Sequence, residues 1–238
     1  LGKCWHQQQI AAFSEIRKSY HRYEDFLEKV FKLACKKYAP QAIVDTRTKT
    51  LPSFAEKAIR KLPKSETIQD LTTPTKWKNF FDPVNEFTDL CGARVITKTQ
   101  YEVERVCEFI LRNFTIDEVN SEDKRSELKH DQFGYLSVHY IVQAQDRQEI
   151  LGVPVPSGIG QLKAEVQVRT LLQHARADVS HDNLYKHQFK VPEKWHRDMA
   201  RLAARLEAAD REFTRFVESL DAFAADCVAY LSKDQIEE

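Results

Sequence analysis

The stretch Ala164-Glu165-Val166-Gln167-Val168-Arg169-Thr170 alternates apolar and polar residues without a break. A period of two marks a strand with one packed face and one open face. Ala164, Val166 and Val168 share the first face. Glu165, Gln167 and Arg169 share the second, about 6–7 Å from neighbour to neighbour. Working outward, residues 135–142 (Tyr-Leu-Ser-Val-His-Tyr-Ile-Val) read as another strand. So do the β-branched residues 93–97, which follow Gly92. Residues 101–114 carry helical spacing through Val103, Val106, Cys107, Ile110 and Leu111, and 115–119 read as a further strand. Strand, helix, strand and two more strands make a mixed α+β pattern around a central sheet. Residues 143–160 hold Gly152, Pro154, Pro156, Gly158 and Gly160 and read as a loop or hairpin.

Both ends are helical. In residues 1–38, Ile10, Phe13, Ile16, Tyr20, Tyr23, Leu27, Val30, Phe31 and Ala34 predict one or two amphipathic helices, closed by Pro40. From Trp195 on, Met199, Leu202, Leu206, Phe213, Phe216, Leu220, Phe223, Cys227 and Tyr230 follow in steps mostly of three or four, close to a heptad. Such a helix either packs on the domain's own N-terminal helix or joins a partner, a second copy included. The chain therefore divides into an N-terminal helical segment (1–38), a catalytic-type domain (39–190) and a C-terminal helical extension (191–238).

Composition narrows the function classes. Lys plus Arg and Asp plus Glu number 36 each, so net charge points to neither nucleic acid nor membrane. No apolar run approaches the roughly 20 residues of a membrane helix, and no signal-peptide pattern opens the chain. The five cysteines have no CxxC spacing, which argues for reduced, buried thiols in a cytoplasmic protein.

Four features can carry chemistry. The Glu165, Gln167, Arg169 face suits a site holding a metal and a phosphate, or else an exposed sheet face with a structural ion pair. Asp89, just ahead of Gly92, can give oxygens to Mg²⁺ or cap a turn. Tyr135, after Gly134, can stack on a base or pack in the sheet; His139 shares its strand face. Arg47, Lys49, Ser53, Lys57 and Arg60 surround a helix start near Pro52, where a helix N-terminus and guanidinium forks favour a triphosphate. A charge run can equally be a solvated face.

The order of these features resembles the RelA/SpoT-type alarmone synthetase domain. The matching motifs are Arg47-Thr48-Lys49 with Ser53 and Lys57; Asp89-Leu90-Cys91-Gly92-Ala93-Arg94; Gly134-Tyr135-Leu136-Ser137-Val138-His139; and Glu165-Val166-Gln167-Val168-Arg169-Thr170. His181 with Tyr185-Lys186 adds a fifth. The resemblance implies a mixed five-stranded sheet flanked by helices and related to nucleotidyltransferases. It implies Mg²⁺-dependent transfer of pyrophosphate from ATP to the 3′-hydroxyl of GDP or GTP, with Asp89 and Glu165 as catalytic, metal-holding carboxylates. Arg47, Lys49, Ser53, Lys57, Arg60 and Arg94 would bind ATP. Lys129, Tyr135, His139, Gln167 and Arg169 would serve the acceptor. The first 38 residues are too short to hold the family's hydrolase domain, so synthesis without a linked hydrolase is expected in this chain. The chain departs from the family pattern at Leu136 and Arg176. Adenosine nucleotides and the 3′ end of tRNA stay open as acceptors, and a catalytically inactive nucleotide-binding module is the reading from another class.

Overall fold

The computed structural model describes residues 5–60, 82–123, 137–145, 147–180 and 193–230. In chain order the elements are α1 (Trp5–Tyr38), β1 (Ile43–Thr48), α2 (Leu51–Arg60), α3 (Pro83–Glu86), β2 (Cys91–Thr97), α4 (Gln100–Asn113), β3 (Thr115–Ile116), β4 (Glu122–Asp123), β5 (Val138–Gln143), β6 (Glu149–Ile150), β7 (Val153–Pro154), β8 (Ala164–Thr170), α5 (Leu171–Ser180) and α6 (Glu193–Tyr230).

The main sheet runs β1-β2-β8-β5-β3, and β4 pairs beside β3 on the same edge of β5, so six strands fill five rows. β2 and β8 pair in parallel at its centre, and the remaining pairs are antiparallel. The mixed sheet matches the expectation. β1 does not: its segment reads as a basic run, yet Ile43, Val44, Thr46 and Thr48 supply the β-branched alternation of a strand. The strand expected over 115–119 shortens to two residues, because Asp117 turns the chain and accepts from Asn120 and Ser121. Residues 149–154 form the small β6–β7 hairpin.

One sheet face is sealed by α1 and α4. Phe13, Tyr23, Leu27, Val30 and Phe31 of α1 are essentially fully buried. Phe13 stacks on Phe54 of α2 at 4.5 Å, and Phe31 meets Phe109 and Phe114. The Tyr23 hydroxyl donates to the Val142 carbonyl at 3.0 Å, which satisfies a polar tip inside an apolar core. The N-terminal segment is thus one 34-residue helix built into the core. Cys35, Cys91 and Cys107 are buried and unbridged, and burial pushes the Cys91 thiol up to about 12.

α6 packs on α5 and α4 rather than on α1. Its inner face, Ala203, Leu206, Asp210 and Thr214, has helical spacing and ends at Thr214. From there to residue 226 nothing on the helix is buried. Phe213, Phe216, Leu220 and Phe223 are 55, 61, 49 and 68% exposed. Among the described residues no helix is long and apolar enough to cross a membrane.

Candidate active site

The strand register arranges the site. One row across the sheet runs Arg47, Gly92, Glu165, Ile141, and the next runs Asp45, Arg94, Gln167, His139. Side chains two apart on a strand share a face, so β1, β2, β8 and β5 project these polar groups to the side opposite α1 and α4. They line an open cleft bounded by Asp45, Arg47, Asp89, Arg94, Glu165 and Gln167. Gly92 lies in its floor between Arg47 and Glu165. A Cβ there would come 3.2 Å from the Glu165 carbonyl oxygen, tight against the neighbouring strand.

Along β8 the polar face forms a chain. Arg169 Nη2 donates to Gln167 Oε1 at 2.7 Å, and Gln167 Nε2 donates to Glu165 Oε1 at 2.6 Å. His139 Nδ1 lies 3.1 Å from the same oxygen, and His139 Nε2 is 2.6 Å from the Ser137 hydroxyl. In the neutral ring, Nδ1–H donates to Glu165 and Nε2 accepts from Ser137. Both contacts fall on Oε1, which leaves Oε2 as the oxygen with capacity for a ligand. Burial alone would raise the Glu165 carboxyl, but the hydrogen bonds from His139 and Gln167 outweigh it and hold the group below its usual range.

Asp89 occupies the other side. Lys49 Nζ lies 3.0 Å from its Oδ2 and Lys57 Nζ 2.7 Å from its Oδ1. Oδ1 is buried, and the Lys57 ammonium is its charge partner. Here too burial pushes the carboxyl up and the two lysines bring it below its usual range. The backbone of Lys49 is fixed by its N–H on the Leu90 carbonyl and by Arg17 Nε on its own carbonyl. Lys57 sits over the Phe87 ring at 4.6 Å. Arg94 Nε is buried with no acceptor. An orphaned guanidinium donor and cations that outnumber Asp45, Asp89 and Glu165 suit a polyphosphate.

These shifts have a consequence for acid stability. A carboxyl whose folded pKa lies below its unfolded value contributes its full stability above the unfolded value, about 4. That contribution is lost as pH falls through the folded value. The gap in thermal midpoint between the wild type and Asp89→Asn is therefore expected to be widest at neutral pH and to close below about pH 4. Calorimetry between pH 7 and 3 checks this, and a constant gap would contradict the lysine clamp.

Arg47, Lys49, Lys57, Asp89, Arg94, His139, Glu165, Gln167 and Arg169 thus meet in or beside one cleft. Ser53 lies in the first turn of α2, where its hydroxyl accepts from Thr50 at 3.0 Å, one turn ahead of Lys57 and outside the cleft lining. The side chain of Arg60, and all of Lys129, Tyr135, His181, Tyr185 and Lys186, lie outside the described residues. The sequence reading missed two residues. Asp45 follows once β1 is recognised as a strand, two residues before Arg47. Ser137 is 1% exposed beneath His139, and its i, i+2 spacing from that histidine was the available signal.

The fold and this cleft define a class, a nucleotide pyrophosphotransferase of the alarmone-synthetase kind. The family model described as the region found in RelA / SpoT proteins matches residues 46–190, more than half of the sequence, and the chain belongs to that family. It is 28% identical over 179 residues to the GTP pyrophosphokinase YjbM of Bacillus subtilis, covering 73% of this chain and 69% of that protein. The crystal structure of the small alarmone synthetase 1 from B. subtilis superposes with a TM-score of 0.64 at 22% identity, over 89% of this chain and 99% of that one. The same synthetase bound to its product pppGpp gives 0.58 at 22% identity, over 84% and 93%.

Proposed function

We propose that this cleft transfers the β,γ-pyrophosphate of ATP to the 3′-hydroxyl of GDP or GTP, with AMP as the leaving group. The observation that carries the reading is the pairing of two carboxylates, Asp89 and Glu165, with a cationic rim in one cleft. The 28% identical relative is a GTP pyrophosphokinase, and the similar synthetase fold is known with pppGpp bound; both favour a guanosine acceptor.

The geometry supports a division of labour. Arg47, Arg94, Lys49 and Lys57 hold the triphosphate, and the lysines exchange Asp89 for phosphate oxygens as ATP enters. Asp89 and Glu165 fit Mg²⁺: both carboxylates line the cleft, and Mg²⁺ ordinarily takes one or two carboxylates with substrate oxygens completing its shell. The ion, when bound, would neutralise phosphate charge and ease loss of the acceptor's hydroxyl proton. Glu165 accepts that proton as the 3′-oxygen bonds to the β-phosphorus and the bond to the α-phosphate oxygen breaks. His139 and Gln167 keep Oε1 engaged, so Oε2 is the oxygen that faces the hydroxyl. Arg169, bonded to Gln167, holds the acceptor side with His139; Lys129 and Tyr135 are assigned there on the motif alone.

The test mixes the chain with β-labelled ATP and Mg²⁺ and, separately, GDP, GTP, ADP and bulk tRNA. Label on GDP or GTP is expected. Label on ADP or tRNA would keep the chemistry and replace the acceptor. No transfer from folded protein would overturn the reading in favour of a nucleotide-binding module.

The exposed stripe of α6 supports a second proposal, that two copies of the chain pair through it. Phe213, Phe216, Leu220 and Phe223 follow the 3-4-3 spacing that knobs-into-holes packing requires. A lone amphipathic helix end is marginal in water. Each large side chain contributes on the order of 100 Å² of exposed area, so four per chain approach the roughly 1,000 Å² of a stable interface. Light scattering is expected to show a dimer or larger assembly that Phe216→Glu reduces to a monomer. A wild-type monomer at high concentration would exclude it.

A further inference from the structure

α6 does more than lie against the domain. Asp210, on its inner face, is a carboxylate only 3% exposed, and it makes no ion pair among the described residues. Its Oδ2 accepts from Thr170 Oγ1 and from Gln100 Nε2, each at 2.9 Å. Thr170 is the last residue of β8, next to Arg169, and also caps α5: its hydroxyl accepts from the Gln173 N–H while its own N–H donates to Gln173 Oε1. Gln100 opens α4 directly after the capping residue Thr99, and its backbone N–H donates to Thr214 Oγ1 one turn along α6. Thr170 pairs with Thr97, the end of β2.

Asp210 therefore joins the carboxyl ends of the two central strands. β2 carries Gly92 and Arg94, and β8 carries Glu165, Gln167 and Arg169. The N-termini of α4 and α5 converge on it, and their partial positive charge favours an anion there. Burial raises its carboxyl, with Gln100 and Thr170 offsetting part of that rise. A buried acid without a counter-ion is costly, so its retention calls for a role that an apolar contact would not fill.

We propose that Asp210 is a positioning residue for pyrophosphate transfer: through Thr170 it fixes the end of β8 and so the aim of Arg169 at the acceptor nucleotide. The inference rests on the transfer reading above. Its specific consequence is asymmetry between the two substrates. Arg47 on β1, Lys49 just after it and Lys57 on α2 lie outside the Asp210 cluster, and Arg94 stands three residues back from the end of β2, whereas Arg169 directly adjoins Thr170. Only Oδ2 of Asp210 is bonded, and Oδ1 has no partner. An amide oxygen in the place of Oδ2 keeps both hydrogen bonds, so Asp210→Asn retains the latch and Asp210→Ala loses it.

The experiment compares steady-state kinetics of the wild type, Asp210→Ala and Asp210→Asn, varying ATP and the acceptor separately. Asp210→Ala is expected to raise the acceptor KM about tenfold or more, the scale set by a small misplacement of a binding group. Its ATP KM stays within about twofold, and Asp210→Asn restores the acceptor KM. If Asp210→Ala does not fold, Thr170→Val is measured in its place, with Thr170→Ser as the restoring variant. A folded variant lacking the latch whose acceptor KM equals the wild type's, or whose two KM values rise together, overturns the proposal. Absence of transfer by the wild type would instead overturn the reading beneath it.

Discussion

Glu165→Gln is expected to lower kcat by about three orders of magnitude while leaving the fold intact, the scale of losing a general base together with a metal ligand. Glutamine keeps the length of the side chain, and its single carbonyl oxygen can accept from both Gln167 Nε2 and His139 Nδ1, as Oε1 does now. The local scaffold should therefore survive, with a thermal midpoint within a few degrees of the wild type, since about 1 kcal/mol moves a domain of this size by only a few degrees. What is lost is the charge at Oε2. The amide that replaces it neither holds a cation nor accepts a proton. The measurement is single-turnover transfer from labelled ATP, with nucleotide binding followed in parallel. Retained binding with lost transfer assigns Glu165 to the chemical step. A rate within tenfold of the wild type would remove Glu165 from both roles.

How much of this was legible beforehand depends on the range of the interactions. β8 could be read directly because its pattern is local: alternation within seven residues gives the strand, its faces and the Glu165, Gln167, Arg169 row at once. β1 was hidden by its charges, since Arg47 and Lys49 read as a solvated charge run and drew attention from Ile43, Val44, Thr46 and Thr48. The clamp of Lys49 and Lys57 on Asp89 could not be read, because it joins the β1–α2 connection, α2 and the turn before β2. Nor could the Asp210 cluster, which links residues 110 and 40 positions apart. The heptad-like pattern of α6 predicted an apolar stripe but not which half of the helix the domain covers. That is decided by where the ends of β8 and α4 stop supplying partners, at Thr214.

Asp89→Asn separates catalysis from nucleotide affinity more sharply. In the free protein Asp89 pairs with two ammonium groups that are themselves largely shielded from solvent, at 13 and 29% exposure. Removing its charge leaves Lys49 and Lys57 facing each other across a neutral amide. The expected cost in stability is on the order of 1–3 kcal/mol, the penalty for leaving buried charged donors poorly satisfied. The same change frees both lysines. On the proposed roles, the wild-type lysines leave Asp89 to reach a phosphate, and that exchange opposes binding of ATP without metal. The variant should therefore bind metal-free ATP at least as tightly as the wild type, by calorimetry in EDTA. With Mg²⁺ present, transfer should still fall by about two to three orders of magnitude, because one of the two carboxylates proposed to hold the ion is gone. Nucleotide should also raise the thermal midpoint of the variant more than that of the wild type, since ligand binding relieves the lysine repulsion as well as adding its own binding energy. Weaker metal-free ATP binding by the variant would mean that the lysines serve Asp89 structurally and do not pass to the phosphates. Full activity would mean that Asp89 holds lysines alone, and the metal would then have to rest on Glu165 and the substrate's own oxygens.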